Sequence, residues 1–217
     1  MIGPRKSTGL EKFIDSSAQS HPAGRLVVFE GIDGTGKSTQ VRLLAERLEA
    51  EGRSVTLSRE PTDGPFGQKL RQSMVEGRLS RDEELRLFED DRRHHVETLI
   101  KPTLARGGVV ILDRYYFSTM AYQGARGFDP AEIRQRNESF APVPDAVIIL
   151  EIPVEAAMQR IGVRDGSGNT FEKKENLEAC AAIFDALKDD FIHRIDASGT
   201  PAEVHAAVRQ SLSALWP

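Results

Sequence analysis

The chain lacks most of what would place it outside a cell, in a membrane or on a nucleic acid. Its 217 residues include one cysteine, Cys180, which excludes an internal disulfide and any cysteine-cluster metal site. No apolar run approaches the ~18 residues that a membrane helix needs. The first residues, MIGPRKSTGLEKFIDSSAQS, begin basic but lack the apolar stretch of ~7–15 residues of a signal peptide. A basic surplus, usual for proteins that live on nucleic-acid backbone, is also missing: 29 Lys and Arg stand against 33 Asp and Glu, a net charge of -4. These absences point to a soluble cytoplasmic domain with neither a nucleic-acid nor a membrane partner. What remains is 39% hydrophobic and 29% charged, ordinary for one globular domain with a sizeable core.

Residues 1–24 are polar and punctuated by Gly3, Pro4, Gly9, Pro22 and Gly24. They read as a flexible leader, leaving 25–217 as the folded domain. From Arg25 onward short apolar runs recur at Leu26–Phe29, Ser54–Leu57, Val109–Leu112, Ala146–Leu150 and Phe191–Ile195. Helical spacing fills the gaps: Lys37–Glu51, Phe66–Glu76, Arg81–Ala105, Pro130–Phe140, Lys173–Asp190 and Pro201–Ala214. Continuous apolar strands alternating with helices predict a three-layer α/β/α domain with a parallel sheet of about five strands. The stretch Ile152–Thr170 is polar and glycine-bearing, and reads as a mobile lid over the sheet edge.

Directly after the first strand comes Gly31-Ile32-Asp33-Gly34-Thr35-Gly36-Lys37-Ser38-Thr39. This is G-x-x-x-x-G-K-[ST] in its required context, a strand before and an amphipathic helix after, and so predicts a P-loop NTPase fold. Glycines let the loop turn its backbone N–H groups inward around phosphate oxygens. The positive end of the helix adds to the cradle. Lys37 would reach the β- and γ-phosphates of ATP, and the Ser38 hydroxyl would take Mg²⁺. Asp33 is out of place beside a triphosphate, so it is expected to hold a sugar hydroxyl of a second substrate.

Two further clusters sit where the second and third strands end, at the edge where α/β sheets bind ligands. Arg59-Glu60-Pro61 follows one strand and Asp113-Arg114-Tyr115 the other. Asp113 could join the Mg²⁺ shell, and Arg114 could grip a phosphate bidentately. Phe88 and Arg92 are four apart and share a helix face. A ring and a cation side by side suit a nucleobase, with Arg71 close by; Phe88 alone would more often be core.

In order and spacing, Phe29-Glu-Gly-Ile-Asp-Gly-Thr-Gly-Lys-Ser-Thr-Gln40, Arg59-Glu-Pro61, Leu87-Phe88, Asp91-Arg92 and Asp113-Arg-Tyr-Tyr-Phe-Ser-Thr-Met-Ala-Tyr-Gln-Gly124 resemble the thymidylate kinase family of P-loop nucleoside monophosphate kinases. The resemblance runs from Arg25 to about Trp216. It implies phosphoryl transfer from ATP·Mg²⁺ to dTMP to give dTDP and ADP, and a homodimer. It also implies an ATP site at Gly31, Ile32, Asp33, Gly34, Thr35, Gly36, Lys37, Ser38 and Thr39. On the acceptor side it implies that Asp33 meets the 3′-hydroxyl of dTMP, and that Arg59, Arg71 and Arg114 surround the phosphate. Phe88 would stack on thymine, Arg92 would bond its O4, Thr119 and Gln123 would face the base edge, Tyr122 would pack on the deoxyribose, and Pro61 would lie near the 5-methyl group. Lys37 and Arg114 would be catalytic.

One departure concerns the lid. Many bacterial members carry Asp-Arg-x-Glu where this chain reads Asn169-Thr170-Phe171-Glu172. The P-loop carries no arginine either, since Gly34 and Thr35 precede Gly36. A cation for the transferring phosphate is therefore expected from Arg164 first, then Arg160, with Lys173 and Lys174 beyond.

The remaining conspicuous residues read as structural. His94 and His95 point about 100° apart on a helix and cannot easily share a metal. Cys180 has the spacing of a small buried hydrophobe. Asp82, Glu83, Glu84 and Arg86 resemble a solvated helix face, and Trp216 an anchor for the last helix. Two rival readings stay open: a P-loop kinase for another nucleotide or nucleoside acceptor, and a nucleotide-sensing module. Asp33 and the Phe88/Arg92 pair weigh against the second, because a switch needs no second nucleotide site.

Overall fold

The computed structural model describes residues 24–77, 79–165 and 170–216. Within them five strands, β1 (Arg25–Glu30), β2 (Val55–Arg59), β3 (Val109–Asp113), β4 (Ala146–Glu151) and β5 (Ile192–Asp196), form one sheet in the order β2-β3-β1-β4-β5. Every pairing is parallel. Each strand falls on a predicted apolar run or within two residues of it.

The helices are α1 (Lys37–Ala50), α2 (Pro65–Glu76), α3 (Arg81–His95), α4 (Lys101–Ala105), α5 (Tyr116–Gly124), α6 (Pro130–Glu138), α7 (Val154–Asp165), α8 (Thr170–Ala186) and α9 (Pro201–Ser211). Alternation along β1 divides the core. Val27 and Phe29 face α1 and α9, packing with Leu44, Leu48, Val204 and Val208. Leu26 and Val28 face the other layer, with Leu85 of α3, Phe117 and Met120 of α5, Ile133 of α6, Ile161 of α7 and Leu177 of α8. Burying each such side chain contributes about 1.5–3 kcal/mol, so two full faces hold the three-layer fold.

Local signals set the helix starts. Ser80 and Thr200 form capping boxes with Glu83 and Glu203, and Asp129 caps α6 ahead of Pro130. The predicted helix over Arg81–Ala105 is continuous, but a π-helical turn at Val96–Ile100 joins α3 to α4. There the Lys101 N–H reaches the Val96 carbonyl. Pro102 follows at once; its missing N–H and its ring disfavour a regular i→i−4 ladder, and the wider turn accommodates both.

Two helices add to the sequence reading. The segment after Tyr115 is a helix, α5, that apolar periodicity did not reveal, because seven of its nine residues are small or aromatic and seven are buried, leaving no one-sided apolar stripe. Most of Ile152–Thr170 is likewise helical: Ala157 and Ile161 are buried, Val154 and Met158 half-buried. That is one apolar stripe, and Arg160 lies off it. Residues 166–169 of the expected lid, like 1–23 of the expected leader, lie outside the described residues.

Parallel register aligns the strand exits. Phe29 and Arg59 both pair with Asp113, so Glu30-Gly31, Glu60-Pro61 and Arg114-Tyr115 leave the sheet side by side.

Candidate active site

The loop between β1 and α1 is shaped by backbone. Gly31, Gly34 and Gly36 have φ of 130°, 87° and 92°, values that L side chains rarely adopt. A Cβ at Gly31 would sit 2.5 Å from the Leu150 carbonyl oxygen, and one at Gly34 2.7 Å from that of Ala157. The Thr35 hydroxyl closes the loop by donating to the Ile32 carbonyl at 3.0 Å. Lys37 is buried, and its ammonium donates to the carbonyls of Gly31 (3.0 Å) and Ile32 (2.9 Å). Burial, helped by nearby Arg114, pulls its pKa down to about 8. Ser38 and Thr39 are exposed at the start of α1, and the Ser38 hydroxyl donates to Asp113 Oδ2 at 2.5 Å. The loop thus offers inward glycines, an ammonium and a paired hydroxyl and carboxylate at one helix N-terminus, which is a phosphate cradle.

Arg114 links this cradle to the next cleft. Its guanidinium Nη2 lies 2.6 Å from Asp33 Oδ1, its Nη1 donates to the Ser118 hydroxyl at 3.0 Å, and it lies over the Tyr122 ring. The Tyr122 hydroxyl in turn accepts the Asp33 backbone N–H at 3.1 Å.

Beyond Arg114 opens a cavity of about 650 Å³, within the ~300–1,000 Å³ range of small-molecule sites. Of the predicted acceptor residues, Asp33, Pro61, Phe88, Arg92, Arg114, Thr119, Tyr122 and Gln123 line it. Phe88 is half-buried in that wall and is not core. Arg59 and Arg71 do not line it. Both meet Asp63 Oδ1 at 3.0 Å, and Arg71 also donates to the Pro61 carbonyl at 3.2 Å.

Arg92 is only 1% exposed, so its charge must be met inside the protein. Nε donates to Glu60 Oε2 (2.8 Å), Nη1 to Asn137 Oδ1 (2.6 Å) and Nη2 to Thr119 Oγ1 (2.9 Å). Glu60 is also bonded by His95 Nδ1 at 3.0 Å, whose Nε2 meets Ser58 Oγ at 2.8 Å. His95 is therefore structural, and His94 is exposed on another side of α3.

Glu84 corrects the expectation of a solvated face. It is buried, pairs with Arg126 at 2.7 Å and accepts from Gln123 Nε2 at 3.3 Å. Asp82, Glu83 and Arg86 on the same helix are exposed. The sequence reading gave no role to Glu30, Asn137, Ser118 or Arg126, and named Glu60 only as part of the Arg59-Glu60-Pro61 cluster. The one signal available for Glu30 was a charged residue closing an otherwise apolar strand.

Among the lid cations, Arg160 on α7 reaches toward the P-loop, with Nη2 donating to the Ala197 carbonyl at 3.2 Å and Nη1 lying 3.4 Å from that of Gly34. The side chains of Arg164, Thr170 and Lys173 lie outside the described residues. Lys174 instead ties α8 to α7 through Glu155 at 2.8 Å. Cys180 is fully buried, which pushes its thiol up to about 12. Trp216 packs on the core beside α1 and α9 beneath the Arg53 guanidinium.

A family model described as Thymidylate kinase matches residues 29–208. The chain is 55% identical over 194 residues to the thymidylate kinase of Akkermansia muciniphila, covering 89% of this chain and 94% of that protein. It is 51% identical over 180 residues to that of Desulfotalea psychrophila, covering 82% and 89%. With that of Xanthomonas euvesicatoria pv. vesicatoria it shares 49% over 190 residues, covering 88% and 82%. The matched span takes in both the phosphate cradle and the cavity walls, and the chain belongs to the thymidylate kinase family.

Proposed function

We propose that this chain transfers the γ-phosphoryl group of ATP to dTMP, giving dTDP and ADP, through residues 25–217. The observation that carries this reading is the Asp33–Arg114 pair, which stands between a phosphate cradle and a cavity of nucleotide size. Two nucleotides bound on its two sides would meet phosphate to phosphate.

In this reading an oxygen of the dTMP phosphate attacks the γ-phosphorus, and the bond to the β–γ bridging oxygen breaks. The Gly31–Thr39 loop holds the ATP phosphates and Lys37 draws charge from them. Arg114 aligns the acceptor phosphate, a positioning effect that the burial of its neighbours makes rigid. Phe88 stacks on the base, while Arg92, held by Glu60, Asn137 and Thr119, presents its remaining N–H to a base oxygen. Thr119, Gln123, Tyr122 and Pro61 complete the acceptor wall, Asp33 takes the sugar hydroxyl, and Arg59 and Arg71 act from the rim.

The pair Ser38 and Asp113 fits Mg²⁺. Two hard oxygens lie 2.5 Å apart beside the phosphate loop, the donor type this ion prefers alongside phosphates. Among the described residues no cluster of three or more His, Cys, Asp and Glu could hold a metal by itself, so in this reading the ion would be held by Ser38, Asp113 and the ATP phosphates together. When bound, Mg²⁺ neutralises charge on the β- and γ-phosphates. Homodimerisation belongs to the same proposal, and light scattering checks it.

The test is a coupled assay of ADP release with dTMP, dUMP, thymidine or no acceptor. Release with dTMP well above the others supports the reading. Release without any acceptor would mean a hydrolytic module, and release with thymidine alone a nucleoside kinase.

A further inference from the structure

Glu30 closes β1 one residue before the phosphate loop and is 0% exposed. A carboxylate so buried must be met by donors, and they all come from the next element over. Glu30 Oε1 accepts the Tyr115 N–H at 2.8 Å and the Ser118 N–H at 3.2 Å, and Oε2 accepts the Ser118 hydroxyl at 2.5 Å. Tyr115, the N-cap of α5, supplies no side-chain cap, so Glu30 caps that helix from a neighbouring strand.

The capped turn contains Arg114. Its φ of 74° makes it the one non-glycine with positive φ among the described residues, a strained conformation that persists only when its surroundings impose it. Here β1 imposes it from both sides. The Phe29 carbonyl accepts the Arg114 N–H at 2.9 Å, and Glu30 accepts the next N–H along.

Side chains extend the constraint. A guanidinium can only donate, so at the 3.0 Å contact with Arg114 Nη1 the Ser118 oxygen must accept. Its single proton then points to Glu30 Oε2. The series Arg114→Ser118→Glu30 therefore runs in one direction only, and it requires an acceptor at Oε2.

We propose that Glu30 is a positioning residue for phosphoryl transfer: its carboxylate clamps the left-handed backbone of Arg114 and, through Ser118, aims the guanidinium at the acceptor phosphate. The proposal rests on the cavity being the dTMP site. Glu30 itself does not line the cavity and is buried behind Arg114 and Ser118.

Glu30→Gln is nearly isosteric but sets an amide N–H₂ where an acceptor is required. We expect kcat/KM for dTMP to fall by roughly 10²-fold, the scale of a slight misplacement of reacting groups, with the KM for ATP unchanged. Ser118→Ala keeps the backbone clamp and loses only the relay, so its fall is smaller, about tenfold. Ser118→Thr retains the hydroxyl and restores activity. In Glu30→Gln/Ser118→Ala the relay is already broken, so the double variant is no slower than Glu30→Gln alone. The wild type in the same assay tests the site reading separately, since without dTMP-dependent ADP release that reading fails first. With an active wild type, normal kcat/KM in Glu30→Gln overturns the proposal, as does equal loss toward ATP and dTMP. If Glu30→Gln does not fold, the serine pair decides: full activity in Ser118→Ala, or no rescue by Ser118→Thr, overturns it.

Discussion

Arg114 and Asp33, 81 positions apart in the chain, meet at 2.6 Å between the phosphate loop and the adjoining cavity. One residue belongs to the loop after β1 and the other to the exit of β3. Neighbouring parallel strands hold the two loops at this distance, so the contact is a property of the sheet as much as of the side chains.

Arg114→Ala should therefore damage acceptor use far more than donor use. The expected loss in kcat/KM for dTMP is about 10²–10³-fold, as for loss of a charge-assisted contact to a dianion that also orients the reaction. ATP affinity should stay within about twofold, since the cradle is built from other residues. Calorimetric titration of each nucleotide separates the two effects, and equal weakening would contradict this assignment.

Arg92 and Phe88 line the same cavity but should fail differently. Arg92→Ala strands buried Glu60 and Asn137, and breaking a buried ion pair from one side costs about 3–5 kcal/mol. At roughly 2–4 °C per kcal/mol for a domain of this size, Tm should drop by about 10 °C. Phe88→Ala leaves no charge behind, so Tm should move little while dTMP binding weakens and ATP binding holds. Thermal melts beside binding isotherms check both.

Glu30 gives the site a pH signature. Burial raises its pKa to about 7, against lowering by the Ser118 hydroxyl, Arg114, the Tyr115 N–H and Lys37. Folding thus favours its protonated form, so the Glu30 contribution to stability is fully present below about pH 4.5 and is lost as pH rises from there through about 7. Glu30→Gln lacks this loss, and its Tm relative to wild type should improve by several degrees between pH 5 and pH 8. Activity runs the opposite way, because the relay requires the carboxylate. The wild-type kcat/KM for dTMP should fall as pH drops below about 7. A phosphate monoester also titrates near pH 6, so the limb assigned to Glu30 is the part absent from Glu30→Gln.

Arg160→Ala and Arg164→Ala should be compared by steady-state kinetics. An arginine on the transferring phosphoryl group is worth roughly 10³–10⁵ in rate. The Arg160 guanidinium already lies beside the P-loop carbonyl of Gly34. Whichever variant lowers kcat by about 10²-fold or more at unchanged dTMP KM identifies the transition-state cation. If neither does, the role passes to the lid lysines.

The fold was readable because its signal is local. Five apolar runs became five strands, and the phosphate loop lay where its motif requires a strand before and a helix after. The α7 stripe of Val154, Ala157 and Ile161 was also present in the sequence, but the arginines and glycines around it masked the helical period. Residues of distinctive type at a strand exit, such as Asp113 and Arg114, were likewise conspicuous, and the fold brings them beside the phosphate loop. Their supports were not. Asn137 meets Arg92 across 45 positions and Glu60 across 32, and no spacing rule joins residues on three different elements. Glu84 shows the opposite error: among exposed neighbours of like charge, only the fold distinguishes the one carboxylate that faces inward.

The common register of β1, β2 and β3 carries a consequence for change in chain length. Phe29, Arg59 and Asp113 stand in one row, and successive strand residues point to opposite faces. One residue inserted between Val109 and Leu112 would turn Asp113 away from Ser38 and carry Arg114 out of reach of Asp33. Lengthening a loop on the opposite edge, such as Gly107-Gly108, would leave that row intact. Insertions and deletions should thus be tolerated at the amino end of the sheet and refused at its carboxyl end, whatever residues they contain.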